Sequence, residues 1–525
     1  MKYFSKASYS NSETYREKNH RRIAYDAACE GIVLLENDGT LPIKVGNIAL
    51  YGPGGLHTIK GGTGSGEVNE RNSVTILQGL ENAKFTVTNQ AWLSDYKEEY
   101  AIKLAAHNAK VAKMARTLSI SKIMNAMAEQ FLPPYGREIT KEDVKETDIA
   151  IYVVSRQAGE GGDLRVDKGE NSLSSTEVAQ LKRLNELYKK TILVINTGFP
   201  MDLSLLDDVK GLNAIIYFSQ LGMEGGNALA DILSGKVSPS GRLSSTWAKK
   251  YEDTPFSQEY SYLNDNLDDE YYKEGIYVGY RYFDSFGVKP RYEFGYGLSY
   301  TTTEITVTGA KANKTQMQVD AKVTNTGKHC SKEVVQLYAS CPQGKLNREY
   351  QSLAAFGKTK ELQPGESETL TLSFDMKDLA GFSENDASFI LEKGEYILRV
   401  GHSSRKTRPI AVISLAEDSI VSKHQNICPV KEKFEEISPP QVNYKDNLID
   451  AIYLKIKAAD IETITYTYKI PSVYHDEKVD AIMKKFTIKD MVDVVVGAGM
   501  FSSKNKVNVP VQWAIQPRNF TKKDL

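Results

Sequence analysis

At 525 residues, with 41% hydrophobic and 25% charged side chains, the chain is long enough for roughly two to four domains. Its net charge of −1 offers no basic field for nucleic acid and no acidic solvating tail. No stretch approaches the ~18 consecutive apolar residues of a membrane helix, so no membrane partner is expected.

Met1 to Asn19 is polar, with Lys2, Lys6, Arg16, Glu17 and Lys18, and has no apolar core segment; no signal peptide is predicted, and a cytoplasmic location is expected. Cys29, Cys330, Cys341 and Cys428 lack CxxC spacing and form no metal set, so no metal is expected. Cys330 and Cys341 are near enough in sequence to bridge a strand pair, but reduced thiols are the preferred reading.

Arg21 to Leu35 reads as a helix running into "GIVLLEN", a buried strand or helix end, followed by the Asn37-Asp38-Gly39 turn. "NIALYG" (Asn47 to Gly52) is a short buried strand opening into a glycine-rich loop. "DIAIYVVS" (Asp148 to Ser155), "TILVINTG" (Thr191 to Gly198) and "AIIYFSQ" (Ala214 to Gln220) are further continuous apolar runs, separated by helical stretches such as Ser174 to Lys190. Continuous rather than alternating runs imply a mainly parallel sheet covered on both faces, the α/β class.

Character changes near Tyr251. An aromatic, loop-rich connector (251–301) follows the α/β domain (1–250). Alternating runs "TEITVTGA", "MQVDAKVTNTG", "EVVQLYAS", "ESETLTLSF" and "EYILRVG" then predict a β-sandwich over 302–415. Residues 416–480 are expected to be linker and irregular chain, and Val479 to Val496 an amphipathic helix inside a last segment, 481–525.

Several stretches resemble glycoside hydrolase family 3. "EGIVLLENDGTLPI" (Glu30 to Ile43), "GGTGSGEVN" (Gly61 to Asn69) and "QLGMEGGNALADILSGKVSPSGRLSSTW" (Gln220 to Trp247) resemble parts of its α/β sandwich domain. "EGIYVGYRYFD" (Glu274 to Asp284) and "YEFGYGLSYT" (Tyr292 to Thr301) are the most specific pieces. "VTNTGKHCSKEVVQLY" with "LQPGESETLTLSF" is similar to its fibronectin type III-like domain. "IMKKFTIKDMVDVVVGAGMF" (Ile482 to Phe501) resembles the start of the (β/α) barrel that comes last in permuted members. The resemblance therefore implies an α/β sandwich, a fibronectin type III-like β-sandwich and a short stub of an incomplete barrel. The implied activity is retaining hydrolysis of β-glucosides or related oligosaccharides, without a cofactor.

Retaining hydrolysis needs two carboxyl groups about 5–5.5 Å apart, one a nucleophile and the other an acid and then a base. The resemblance makes Glu160, in "SRQAGEGGDLR" (Ser155 to Arg165), the acid/base, and Asp163 and Arg165 substrate-binding residues. Glu160 follows an apolar strand, and ligands of parallel sheets bind at the C-terminal strand ends. Gly159 and Gly161 permit a mobile loop. Leu164 separates Asp163 from Arg165, where family members commonly have the two adjacent.

No nucleophile can be named. Ser94-Asp95-Tyr96 is the one lookalike of the family's Ser/Gly-Asp-Trp motif, and helix capping explains its Ser94 and Asp95 better. The glycines from Gly61 to Gly66 lack a P-loop's Gly-Lys-Ser/Thr ending. His57 reads as a surface or packed histidine, and Tyr277, Tyr280, Tyr282, Phe283, Phe294 and Tyr296 as interdomain packing rather than a sugar platform.

"VPVQWAIQPRNFTKKDL" departs from the family. A one-base shift in codons for Val511 to Phe520 can restore Gly-Ala-Val-Gly-Asn-Thr-Thr-Gln-Lys-Phe, so a single-base deletion near codon 511 is the expected origin of a chain truncated before its barrel. Two readings stay open: a β-glucosidase chain inactive by itself, or a non-catalytic sugar-binding or interaction module. The second includes a subunit complementing a separate barrel chain, and an exposed barrel-facing seam would favour homo-oligomers.

Overall fold

A computed structural model describes residues 11–63, 70–116, 131–158, 165–166, 170–259, 263–264, 266, 269–427, 434–440, 448–467 and 476–496. The chain divides into two units, Met1–Thr465 and Tyr466–Leu525.

The first unit opens with helix α1 (Tyr15–Gly31). The Thr14 hydroxyl accepts from the Glu17 N–H while the Glu17 carboxylate accepts from the Thr14 N–H, a reciprocal cap that fixes the helix start. Strands β1 (Val33–Asn37), β2 (Asn47–Tyr51), β3 (Thr86–Val87), β4 (Ile149–Ser155), β5 (Lys190–Asn196) and β6 (Leu212–Tyr217) form one sheet in the order β1-β6-β5-β4-β2-β3. All neighbours are parallel except the edge strand β1, which runs antiparallel to β6.

Ala150 to Val154 and Ile192 to Ile195 are fully buried, so both faces of the central strands are covered, as their uninterrupted apolar runs predict. The intervening helices are α2 (Pro53–Leu56), α3 (Ile76–Asn82), α4 (Gln90–Met114), α5 (Ser175–Leu187) and α6 (Gly225–Ser234). Among the described residues no helix is long and apolar enough to cross a membrane.

A connector with the short helix α7 (Tyr280–Ser285) lies between the two cores of this unit. Its aromatics pack: Tyr280 lies 4.7 Å from Phe294 and 6.1 Å from Tyr338, ring to ring, and the Tyr280 hydroxyl accepts from the Leu353 N–H.

The β-sandwich sets β7 (Thr303–Asn313), β8 (Gln316–Asn325) and β11 (Ser367–Asp375) against β9 (Val334–Ser340), β10 (Ser352–Lys358), β14 (Gly394–Gly401) and β15 (Thr407–Leu415). In β8, Met317, Val319, Ala321 and Val323 are fully buried and alternate with less buried polar residues, the period-2 signature of a sheet with one face in the core. The hairpin β12 (Gly381–Ser383) and β13 (Ser388–Leu391) extends a small third sheet.

Residues 416–480 depart from the expected linker, because they contribute β16 (Ser419–Lys423), β17 (Ile452–Ile456) and β18 (Ile464–Thr465). β17 pairs in parallel with β15, Ile452 opposite Ala411, and β16 pairs with β13. An uncovered strand edge offers unpaired backbone groups, and β17 satisfies those of β15.

In the second unit the expected single helix is two, α8 (Glu477–Met483) and α9 (Ile488–Val496). Thr487 breaks it: its hydroxyl accepts from the Asp490 N–H at 3.2 Å while the Asp490 carboxylate accepts from the Thr487 N–H at 3.0 Å. The Thr-x-x-Asp spacing of a helix start was present inside the apolar pattern.

Candidate active site

The C-terminal ends of β2, β4, β5 and β6 converge on one residue, Asn196, the last of β5 and fully buried. Its Oδ1 accepts from the Ile59 N–H at 2.7 Å, and its Nδ2 donates to the carbonyls of Ile59 at 2.8 Å and Ser219 at 2.6 Å. Its backbone carbonyl accepts from the Arg156 N–H at 3.2 Å. One residue, through its side-chain amide and its backbone carbonyl, thereby ties together the loops leaving β2, β4 and β6.

The loop after β4 is held to the glycine-rich loop after β2. Gln157 Nε2 donates to the Gly61 carbonyl at 3.0 Å, and the Thr63 N–H approaches the Ala158 carbonyl at 3.5 Å. Lys60 pairs with Glu70 at the same place, and the Gly222 N–H donates to the Lys60 carbonyl.

Arg156 lies beneath this loop. Its guanidinium grips Glu177, Nη1 to Oε1 at 2.9 Å and Nη2 to Oε2 at 2.6 Å, and Glu177 is fully buried at the start of α5. Burial opposes the Arg156 charge, but the Glu177 carboxylate outweighs it and holds the guanidinium above its ordinary value.

Of the expected site residues, Glu160 and Asp163 lie outside the described residues. Arg165 is described: its N–H donates to Glu170 Oε2 at 2.8 Å, and its carbonyl accepts from the Glu170 N–H. Asp95 is no helix cap. Helix α4 starts at Gln90 after Asn89, which puts Ser94 and Asp95 a turn further in; the Asp95 carboxylate accepts from Arg137 Nε at 2.6 Å. Capping fails as an explanation because the N-cap position is Asn89, five residues before Ser94 and six before Asp95.

His57 stacks on Tyr100 with ring centroids 3.5 Å apart, and its Nε2 is buried with no hydrogen-bond partner among the described residues. Burial, aided by the Lys97 charge, lowers its pKa, so it is a neutral packing residue. Among the described residues, no group of three His, Cys, Asp or Glu side chains is placed to hold a metal ion. Cys29, Cys330 and Cys341 are free thiols.

Sequence reasoning missed Asn196, Arg156 and Glu177. The Ser174-x-x-Glu177 capping spacing was visible, but nothing local showed that the same carboxylate would receive Arg156.

Residues 32–280 match the glycosyl hydrolase family 3 C-terminal domain, and residues 333–404 match the fibronectin type III-like domain. The chain therefore carries the C-terminal α/β domain of glycosyl hydrolase family 3, joined to a fibronectin type III-like β-sandwich. It is 35% identical over 456 residues to beta-glucosidase A of Butyrivibrio fibrisolvens, covering 78% of this chain and 53% of that protein. It is 30% identical over 499 residues to a beta-glucosidase of Ruminococcus albus, covering 92% of this chain and 51% of that protein.

Similar solved structures include beta-glucosidase 3B from Thermotoga neapolitana in complex with alpha-D-glucose, at TM-score 0.66 and 34% identity over 78% of this chain and 56% of that one. A beta-glucosidase from Paenibacillus barengoltzii gives TM-score 0.72 and 30% identity over 89% of this chain and 49% of that one. The chain spans about half the length of the curated relatives it matches.

Proposed function

We propose that this chain supplies the proton-donor half of a retaining β-glucosidase, with Glu160 as acid/base and Asp163 and Arg165 at the sugar. The observation that carries the reading is the tied loop end of β4, where Gln157 and Ala158 are bonded to the glycine-rich loop just ahead of Glu160. In the reaction, a carboxylate attacks the anomeric carbon as Glu160 gives its proton to the glycosidic oxygen, and the alcohol leaves. Glu160 then takes a proton from water, whose oxygen replaces the enzyme carboxylate on the sugar. Among these 525 residues the one nucleophile lookalike, Asp95, is occupied by Arg137, so the chain alone is expected to turn nothing over. Free thiols at Cys29, Cys330 and Cys341 fit a reducing, cytoplasmic setting.

The test is release of aryl alcohol from aryl β-glucosides. Turnover is expected only when the half of a β-glucosidase relative that this chain does not span is supplied. Glu160→Gln should then lower it by about 100-fold or more. Turnover by the chain alone, or a complemented pair indifferent to Glu160→Gln, would sink the reading.

A second reading, a non-catalytic interaction module, is favoured by exposed apolar side chains on the connector, Tyr272 at 71% and Val278 at 60% exposure. Light scattering distinguishes it: concentration-dependent self-association supports this reading, and a stable monomer opposes it.

A further inference from the structure

We propose that Arg156 is a positioning residue for Glu160: its guanidinium, locked onto Glu177, fixes both ends of the segment that carries the proton donor. The inference rests on the acid/base role given to Glu160 above.

A guanidinium has five N–H donors and no acceptor. Arg156 makes five hydrogen bonds. Two go to Glu177, as described. The other three go to backbone carbonyls: Nη1 to Ser155 at 2.9 Å, Nε to Glu170 at 3.2 Å and Nη2 to Ser172 at 2.9 Å. Ser155 precedes the Glu160 segment, and Glu170 and Ser172 follow it. One planar group thus staples the outgoing and returning strands together.

The staple is extended on both sides. On the outgoing side, Gln157 and Ala158 are bonded to the glycine-rich loop. On the returning side, Glu170, whose carbonyl Arg156 holds, binds the Arg165 backbone through both its carboxylate and its N–H. Glu160 is therefore two residues past the last fixed outgoing residue.

Stability alone is a poor reason for this arrangement, because a buried ion pair is often no more stabilising than an apolar pair of the same volume. What the pair provides is direction. Glu177 is anchored by the N-terminus of α5, where its Oε2 also accepts from the Ser174 N–H at 2.8 Å. The fork aimed by Glu177 can reach three carbonyls at once; a lysine ammonium, a point charge on a flexible stem, cannot reproduce that plane. Since a misplacement of about 1 Å can cost ~100-fold in rate, fixing the loop ends is a contribution to catalysis by a residue that touches no substrate.

The test uses the full chain and needs no turnover. Amide hydrogen exchange is followed in wild type, Arg156→Ala, Arg156→Lys and Glu160→Gln. In both Arg156 variants, exchange in segments 156–158 and 170–172 is expected to accelerate by about 100-fold, well beyond any change in β5 or the β-sandwich. Trypsin should nick faster after Arg165 and Lys168. Millimolar ethylguanidinium should restore protection to Arg156→Ala, and ethylammonium should not, a contrast that a general loss of stability would not give. Glu160→Gln should exchange like wild type.

Unchanged exchange in Arg156→Lys overturns the proposal. So does acceleration spread evenly over the α/β domain, or rescue by both cations alike. A complemented enzyme indifferent to Glu160→Gln would instead defeat the acid/base reading while leaving the exchange result standing, so the two failures are distinguishable.

Discussion

Arg242 and Glu333 meet across the seam between the α/β domain and the β-sandwich, Nη2 to Oε1 at 2.5 Å, with Glu333 buried and Arg242 partly so. Arg242 Nη1 also donates to the Gly297 carbonyl of the connector at 2.8 Å. The Glu333 carboxylate is satisfied further by the Thr303 hydroxyl at 2.6 Å and the Val334 N–H at 2.9 Å. One ion pair therefore joins three segments: the end of the α/β domain, the connector and strand β9.

Arg242→Met should be strongly destabilising, because it strands a buried carboxylate. A loss of about 3–5 kcal/mol is expected. Adding Glu333→Leu should recover much of it, since an apolar pair can replace a buried ion pair. Urea midpoints of the two single variants and the double variant give the coupling directly. Additive losses would show that the pair does not act as a unit.

The same carboxylate sets an acid limit. Burial alone would push Glu333 up, but the Arg242 charge, helped by His402 and Thr303, overrides it and holds the group at about 2. An ordinary glutamate titrates near ~4.3. A pKa depressed in the folded state means stability that is complete above the unfolded value and lost as pH falls toward the folded one. The chain should therefore lose stability progressively from about pH 4.5 toward pH 2, and Glu333→Gln should remove part of that slope while lowering stability at neutral pH. Thermal midpoints across this range check it; equal slopes would contradict the assignment.

Helices α3 and α6 cross at two glycines. A Cβ on Gly79 would stand 2.0 Å from the Gly226 carbonyl oxygen, and one on Gly226 would stand 2.1 Å from the Thr75 carbonyl oxygen. Both obstacles are backbone and cannot rotate aside. Gly79→Ala should cost about 1–3 kcal/mol or more, although alanine is the better helix former by about 1 kcal/mol. Denaturant midpoints decide which effect wins, and a stabilised Gly79→Ala would mean that the helices part easily.

Most of the architecture was legible in the residue order, because burial on one or both faces of a strand writes itself into the local pattern. "DIAIYVVS" and "TILVINTG" are continuous since both faces of β4 and β5 are covered, and "MQVDAKVTNTG" alternates since β8 has one face in the core. The aromatic connector and the segment carrying Glu160 were legible as motifs. The strand β17 was not, because its pairing depends on an edge of β15 some forty residues earlier, as Ala411 against Ile452 shows. Nor was the break at Thr487, where a capping pair won over a continuous apolar stripe.

The sequence by itself determined most of the strands and helices of the two cores and which loop carries the candidate proton donor. Only the tertiary structure decided that Arg156 reaches Glu177 and the carbonyls of Glu170 and Ser172, and that Asn196 gathers three loops. The physical reason is range. Hydrophobic periodicity is a property of neighbours along the chain, whereas a buried polar group finds its partners only after distant segments have been folded against it.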